Sequence, residues 1–210
     1  MRVTEIFFSI QGEGSRAGRP CAFVRFTGCD LRCGYCDTAY AFHGGEEMTR
    51  AQIVAALAPH PTRFVLLTGG EPLLQKELPA LVHDLIDAGY EVAIETHGQR
   101  PLDELPPAAI RIVDVKTPGS GEPAKDLSYL DRLMPHDEVK FVVCSEDDFR
   151  WSERIVREHR LAERTNVLFS PVWGSVEPKD LARWLLESGL DARLSLQIHK
   201  VVWGAGTRGV

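Results

Sequence analysis

The strongest constraint on this chain is a rhythm: short apolar, β-branched runs recur along it, alternating with amphipathic windows and glycine-rich polar segments. The runs fall at residues 22–26, 64–68, 91–95, 110–116, 138–143, 166–170 and 192–197, after a strand-like start over residues 1–8. Three windows carry helical spacing. Ile53, Val54 and Leu57 share a face behind Thr49, a good N-cap. Leu78, Leu81, Val82, Leu85 and Ile86 share another, stopped by Gly89. Leu181, Trp184 and Leu185 form a third, opened by Pro178 and closed by Gly189. Residues 146–164 are charge-rich and predict a solvated helix face, with Trp151, Ile155 and Val156 turned inward. Alternating strands and helices predict an α/β fold, a barrel or partial barrel of about six βα units around a parallel sheet.

The other global properties narrow this further. With 210 residues and 44% hydrophobic content, residues 1–210 are expected to form one domain with an ample core. A net charge of −6 argues against a general nucleic-acid binder, which needs a basic face. No apolar run approaches the ~18 residues of a membrane span. The strand-like start leaves no room for a targeting segment, so a cytoplasmic protein is expected.

Folds of this kind place their chemistry on loops at the carboxyl ends of strands, and the distinctive motifs sort that way. Run 22–26 leads into a loop carrying Cys29, Cys33 and Cys36, spaced C-x3-C-x2-C. Run 64–68 leads into Thr68-Gly69-Gly70-Glu71-Pro72, and run 91–95 into Glu95-Thr96-His97-Gly98. Lys116, Ser170-Pro171-Val172-Trp173 and Gln197-Ile198-His199-Lys200 close later runs.

The cysteine loop admits three readings. A zinc site needs a fourth ligand, which His43 could supply. Disulfides are disfavoured in a chain expected to be cytoplasmic. A cubane iron-sulfur cluster normally takes a thiolate on each of its four irons, so three thiolates leave one iron open to a small molecule. Cys21 and Cys144 lie in apolar runs, where burial as small hydrophobes is the default.

The spacing, with Tyr35 before the last cysteine, resembles the radical S-adenosylmethionine (SAM) superfamily, in which SAM chelates the open iron. Gly69 and Gly70 permit positive backbone angles and close approach to a ligand. With Glu71 and Pro72 they are similar to that superfamily's Gly-Gly-Glu-Pro motif, whose backbone and glutamate hold the methionine amino group. Two rival readings are an activase of the same superfamily acting on a partner protein, and a non-enzymatic zinc module.

Substrate candidates lie nearer the amino terminus. Gln11 and Glu13, in Ser9-Ile10-Gln11-Gly12-Glu13-Gly14, offer an amide and a carboxylate, suited to the donor and acceptor edge of a pterin or guanine-like ring. Arg25 could pair bidentately with a substrate carboxylate if its side chain faces the barrel interior. With Arg25-Phe26-Thr27-Gly28-Cys29, Cys36-Asp37-Thr38, Glu-Thr-His-Gly and Gln197-Ile198-His199-Lys200, these segments resemble the 7-carboxy-7-deazaguanine synthase family over nearly the whole chain.

That resemblance implies a partial (β/α)6 TIM-like barrel of the radical SAM type, with reduced helical content. The activity it implies is lyase chemistry in queuosine biosynthesis: radical ring contraction of 6-carboxy-5,6,7,8-tetrahydropterin to 7-carboxy-7-deazaguanine and ammonia, with SAM used catalytically. The implied cofactors are a 4Fe-4S cluster on Cys29, Cys33 and Cys36, SAM, and Mg2+ on Thr38. Substrate contacts fall on Ile10, Gln11, Gly12, Glu13, Arg25, Thr68, His199 and Val210. SAM contacts fall on Tyr35, Cys36, Asp37, Gly70, Glu71, Asp114, Val115, Lys116, Ser170, Pro171, Val172 and Trp173. A flavodoxin- or ferredoxin-type reductant and a homodimer are also implied. Some relatives have Ser-Pro-Lys at Asp114-Val115-Lys116, which assigns the contact there to backbone or Lys116. Some end earlier than Val210, with a terminal carboxylate on the substrate, so a flexible tail is the alternative here. His97 receives no role.

Overall fold

The computed structural model describes all 210 residues. The chain opens with β1 (Arg2–Ile10), which runs antiparallel to β2 (Pro20–Phe26) and to the short β3 (Glu46–Glu47). After α1 (Arg50–Leu57) come β4 (Phe64–Gly69), α2 (Leu78–Asp87), β5 (Glu91–Thr96), β6 (Ile110–Asp114) and β7 (Glu138–Val143). The chain then continues through α3 (Glu146–Glu158), β8 (Asn166–Pro171), α4 (Pro178–Ser188), β9 (Arg193–Leu194) and α5 (Ile198–Trp203). They form one nine-stranded sheet ordered β3-β1-β2-β4-β5-β6-β7-β8-β9, parallel from β2 through β9. The end strands β3 and β9 do not pair, so the barrel stays partial. No helix of the structure is long and apolar enough to cross a membrane.

Local signals explain the helices. Thr49 and Gln52 form a reciprocal capping box at α1, each side chain bonded to the other's backbone. Pro178 sits in the first turn of α4, and Gly189 ends that helix in the left-handed region at φ 66°. Ser145 caps α3, whose first turn carries Glu146, Asp147 and Asp148 against the helix dipole.

Two expectations fail locally. No helix joins β5 to β6, and only 3-10 turns join β6 to β7, so regular βα units are fewer than the rhythm predicts. The final run pairs only at Arg193 and Leu194, because its next residues turn away: Ser195 takes Gly14 N–H on its hydroxyl, and Ile198 N–H donates to Gly12 O at 3.0 Å. Residues 198–203 coil into α5 instead.

Strand alternation sorts the core. Outward residues such as Val24, Leu67, Ile94, Val113, Phe141 and Phe169 join the main cluster with Leu57, Leu81, Leu85 and Leu181 of the helices. Inward residues change character along each strand. Cys21 and Phe23 precede Arg25, Phe64 and Leu66 precede Thr68, Ala93 precedes Glu95, and Ile110 and Ile112 precede Asp114. The barrel therefore has an apolar floor and a polar mouth.

Candidate functional site

A cavity of about 740 Å³ opens at the carboxyl ends of the strands, within the size range of small-molecule sites. Cys29, Cys33 and Cys36 lie on its wall, half-buried and with free thiols. Burial pushes the thiols of Cys29 and Cys33 up.

Backbone bonds at the ends of the adjacent parallel strands β2 and β4 lock this loop to the twin-glycine turn. Glu71 N–H donates to Gly28 O at 2.7 Å, and Gly70 N–H to Phe26 O at 3.1 Å. Gly69 holds φ 143°, and a Cβ on Gly70 would lie 1.9 Å from Gly28 O. Only glycine lets these backbones come so close. Glu71 is fully buried and lies off the cavity wall. Its Oε1 accepts from Leu73 N–H and the Thr96 hydroxyl, and its Oε2 from His97 N–H. The carboxylate expected on SAM is thus occupied in bracing two loops.

His97 is the histidine near the thiols; His43 is exposed and off the cavity wall. Ligand atoms of Cys29, Asp30 and His97 lie within 4.8 Å of one another. The imidazole is nevertheless a donor. Its Nδ1 accepts Gln99 N–H at 3.1 Å, which leaves the proton on Nε2, 3.0 Å from Asp30 Oδ1. A metal on Nε2 would have to displace that proton.

The substrate candidates converge on the cavity. Ile10, Gln11, Gly12, Glu13, Arg25, Thr68, His199 and Val210 all reach its wall. Arg25 faces inward: Nε donates to Glu5 Oε1 at 2.7 Å, and its two terminal nitrogens make no protein hydrogen bond. A Cβ on Gly12 would fall 1.9 Å from His199 Nδ1, so this backbone rests directly on the imidazole. The tail also lies along the cavity, with Arg208 stacked 4.1 Å over the Tyr40 ring. These contacts depart from the free tail that its glycines suggest.

At the centre is a residue to which sequence reasoning gave no role. Lys140 of β7 is 4% exposed. Its Nζ donates to Glu13 Oε2 at 2.8 Å and to Glu95 Oε1, and lies 3.4 Å from Asp114 Oδ2. Burial alone would push the ammonium down, but these three carboxylates hold it well above its ordinary value. In turn, burial would raise Glu13, but the charge and hydrogen bond of Lys140 outweigh it and hold that carboxyl low. Glu13 Oε1 also accepts from Gln197 Nε2 at 2.6 Å, and the Thr68 hydroxyl reaches Glu95 Oε2 at 3.4 Å. A lysine between Val139 and Phe141 in an apolar strand was the available signal.

The SAM candidates divide. Tyr35, Cys36, Asp37, Gly70, Asp114, Lys116, Val172 and Trp173 line the cavity, whereas Glu71, Val115, Ser170 and Pro171 do not. Val115 packs outward in the main core, because alternation after Asp114 turns it away, and Pro171 closes the buried strand β8. Ser170 Oγ is buried without a partner, as are Tyr35 Oη and Asp114 Oδ1. Of these, Tyr35 and Asp114 line the cavity, and their unpartnered atoms are suited to a polar ligand. Thr38 Oγ1 donates to Asp37 Oδ1 at 2.9 Å, and Lys200 Nζ holds Asp37 Oδ2 at 2.6 Å. Burial would raise Asp37, but Lys200 outweighs it and holds the carboxyl at about 2.

The donor sets fit the groups they would hold. Three free thiols in one loop suit an iron-sulfur cluster. The oxygens of Thr38 and Asp37 suit a hard cation that keeps most of its water.

Comparisons with known proteins agree with this geometry. Residues 23–116 match the radical SAM superfamily. The chain is 44% identical to the 7-carboxy-7-deazaguanine synthase of Koribacter versatilis, across the whole of both chains. It is 40% identical to that of Chlorobaculum tepidum, over all of this chain and 97% of the other. Among solved structures, QueE from Escherichia coli superposes with a TM-score of 0.77 over 93% of both chains, at 23% identity, a likeness of fold.

Proposed function

Because the chain belongs to the 7-carboxy-7-deazaguanine synthase family, we propose that its cavity contracts the ring of 6-carboxy-5,6,7,8-tetrahydropterin to 7-carboxy-7-deazaguanine, releasing ammonia. The enzyme is a radical SAM lyase acting on a small molecule. What carries the substrate reading is the meeting, in one cavity, of the cysteine loop, the twin-glycine turn and an inward arginine with two free nitrogens.

Cys29, Cys33 and Cys36 would hold the 4Fe-4S cluster. Gly70, Tyr35, Asp114, Lys116, Val172 and Trp173 would frame SAM. When bound, cluster and SAM would supply the radical chemistry that removes a hydrogen atom from the substrate. The chain's own residues bind, orient and exclude water, because a carbon radical reacts with whatever lies nearest. Arg25 presents its free edge to the substrate carboxylate. Glu13 and Glu95, spaced by their shared bonds to Lys140 Nζ, would face the N–H donor edge of the pterin. Thr38 would hold Mg2+ beside the substrate carboxylate, with water in the remaining positions. The reading extends to a cytoplasmic homodimer, for which exposed Val201, Val202 and Trp203 on α5 offer apolar surface, and to a flavodoxin- or ferredoxin-type electron donor.

Anaerobic incubation of reconstituted protein with SAM, reductant, Mg2+ and the carboxytetrahydropterin tests this directly. Mass detection should find the deazaguanine acid. SAM cleavage without that product would sink the substrate assignment. One zinc per chain, with no iron or sulfide, would sink the radical chemistry.

A further inference from the structure

The side chain that joins the two cofactor loops is His97. It sits just past the end of β5, 4% exposed, with its backbone N–H and both ring nitrogens hydrogen-bonded. Its backbone N–H donates to Glu71 Oε2 at 3.0 Å, fixing it to the twin-glycine turn. The Nε2 proton goes to Asp30 Oδ1 at 3.0 Å, while Glu71 Oε2, held by the backbone N–H, lies 3.2 Å from Nε2 without bonding it. Asp30 follows Cys29 directly, and its other oxygen accepts from Nε and the terminal nitrogen of Arg100, at 3.1 and 2.8 Å. A continuous chain, Glu71–His97–Asp30–Arg100, therefore runs from one loop to the other, with His97 itself on the cavity wall.

We infer that His97 is a positioning residue, which ties the cysteine loop, through Nε2–H on Asp30, to the twin-glycine turn, through its backbone N–H on Glu71, and so sets the geometry in which SAM meets the cluster. The inference rests on the radical SAM reading above. Alternative roles fit less well. The fixed tautomer makes His97 a donor, and its proton is committed to the Asp30 carboxylate, which leaves the ring neither a free base nor a free metal ligand. The backbone bonds Glu71–Gly28 and Gly70–Phe26 already join the loops at their bases. His97 acts farther out, beside Cys29 itself.

The test compares His97→Leu, which fills the space without a donor, with His97→Gln, whose amide N–H reaches a similar point. In the apo-protein, iodoacetamide alkylation of Cys29, read by peptide mass spectrometry, should rise about tenfold in His97→Leu, the factor for a lost hydrogen bond to a charged acceptor. Fully buried Cys21 should stay protected, and His97→Gln should stay within about twofold of wild type. After reconstitution, the change in the reduced cluster's electron paramagnetic resonance spectrum on titrating SAM should need about tenfold more SAM in His97→Leu. Wild-type values for both readouts in His97→Leu would overturn the inference. Should that variant fail to fold, Asp30→Ala, which removes the acceptor of the Nε2 proton at the exposed end of the relay, is judged by the same readouts and outcomes. Wild-type protein that binds no cluster would refute the radical reading, while Cys29 alkylation would still decide the role of His97.

Discussion

Replacing Lys140 with methionine keeps most of the side-chain volume but removes the one cation that Glu13, Glu95 and Asp114 share. Breaking a buried ion pair by deleting one partner costs about 3–5 kcal/mol. The Glu13 and Glu95 side chains retain 18% and 26% exposure, so water relieves part of this and the lower end, about 3 kcal/mol, applies. For a chain of 210 residues, at about 2–4 °C per kcal/mol, the melting temperature should fall by about 6–12 °C. The sign of the pH dependence is distinctive. In the native protein Glu13 is held low, so its stabilisation is present above the ordinary carboxylate range and lost as acid approaches the folded value. Without Lys140, only the Gln197 hydrogen bond opposes burial, the largest influence on Glu13, which therefore rises, so the variant loses stability as pH rises. Urea denaturation should therefore give a deficit largest near pH ~7 and much smaller near pH ~4.5, where a carboxyl can protonate. A deficit below about 1 kcal/mol, or one equal at both pH values, would refute the reasoning.

Arg25→Ala should leave SAM cleavage intact yet weaken substrate binding by about 2–5 kcal/mol, read from substrate titration of the anaerobic holoenzyme; unchanged affinity would remove Arg25 from the site. Gly70→Ala places a methyl group 1.9 Å from Gly28 O, so the loops must separate at a cost of about 1–3 kcal/mol, with a matching loss of SAM affinity by calorimetry. Full SAM affinity there would show that the turn tolerates a side chain. Burial pushes His199 below the ordinary imidazole range, against the raising field of Glu13. The unfolded imidazole takes its proton near pH ~6.5, so the protein should lose stability as pH falls from there through the folded value. An NMR midpoint for His199 above that of a denatured control would contradict this.

Period-two alternation and cap residues made most of the fold readable: run 138–143 coincides with β7, Thr49 caps α1, and Pro178 and Gly189 bound α4. The link from β5 to β6 was less legible, because an absent helix leaves no pattern of its own. Cysteine spacing and the paired glycines identified two walls of the cavity, since their chemistry is local in sequence. Lys140 escaped notice because its meaning comes from Glu13, Glu95 and Asp114, which tertiary structure alone brings together. Glu71 was misread for a related reason. Its motif places it beside a ligand, but its hydrogen bonds to Thr96 and His97 depend on the neighbouring strand.

A ribosome delivers β4 through β8 in the order in which they pair, so each strand meets its neighbour as it emerges. The seam that closes the open side of the barrel follows a different schedule. Glu13 meets Gln197 across a sequence separation of 184, with Gly14 on Ser195 and Ile198 on Gly12 beside it. Such remote contacts form late, because the intervening chain must be ordered first. The nascent protein is thus expected to gain its sheet before its chamber. Pulsed hydrogen exchange during refolding should protect the amides of Gly14 and Ile198 after those of β4 to β7. Simultaneous protection would mean that the seam forms with the sheet.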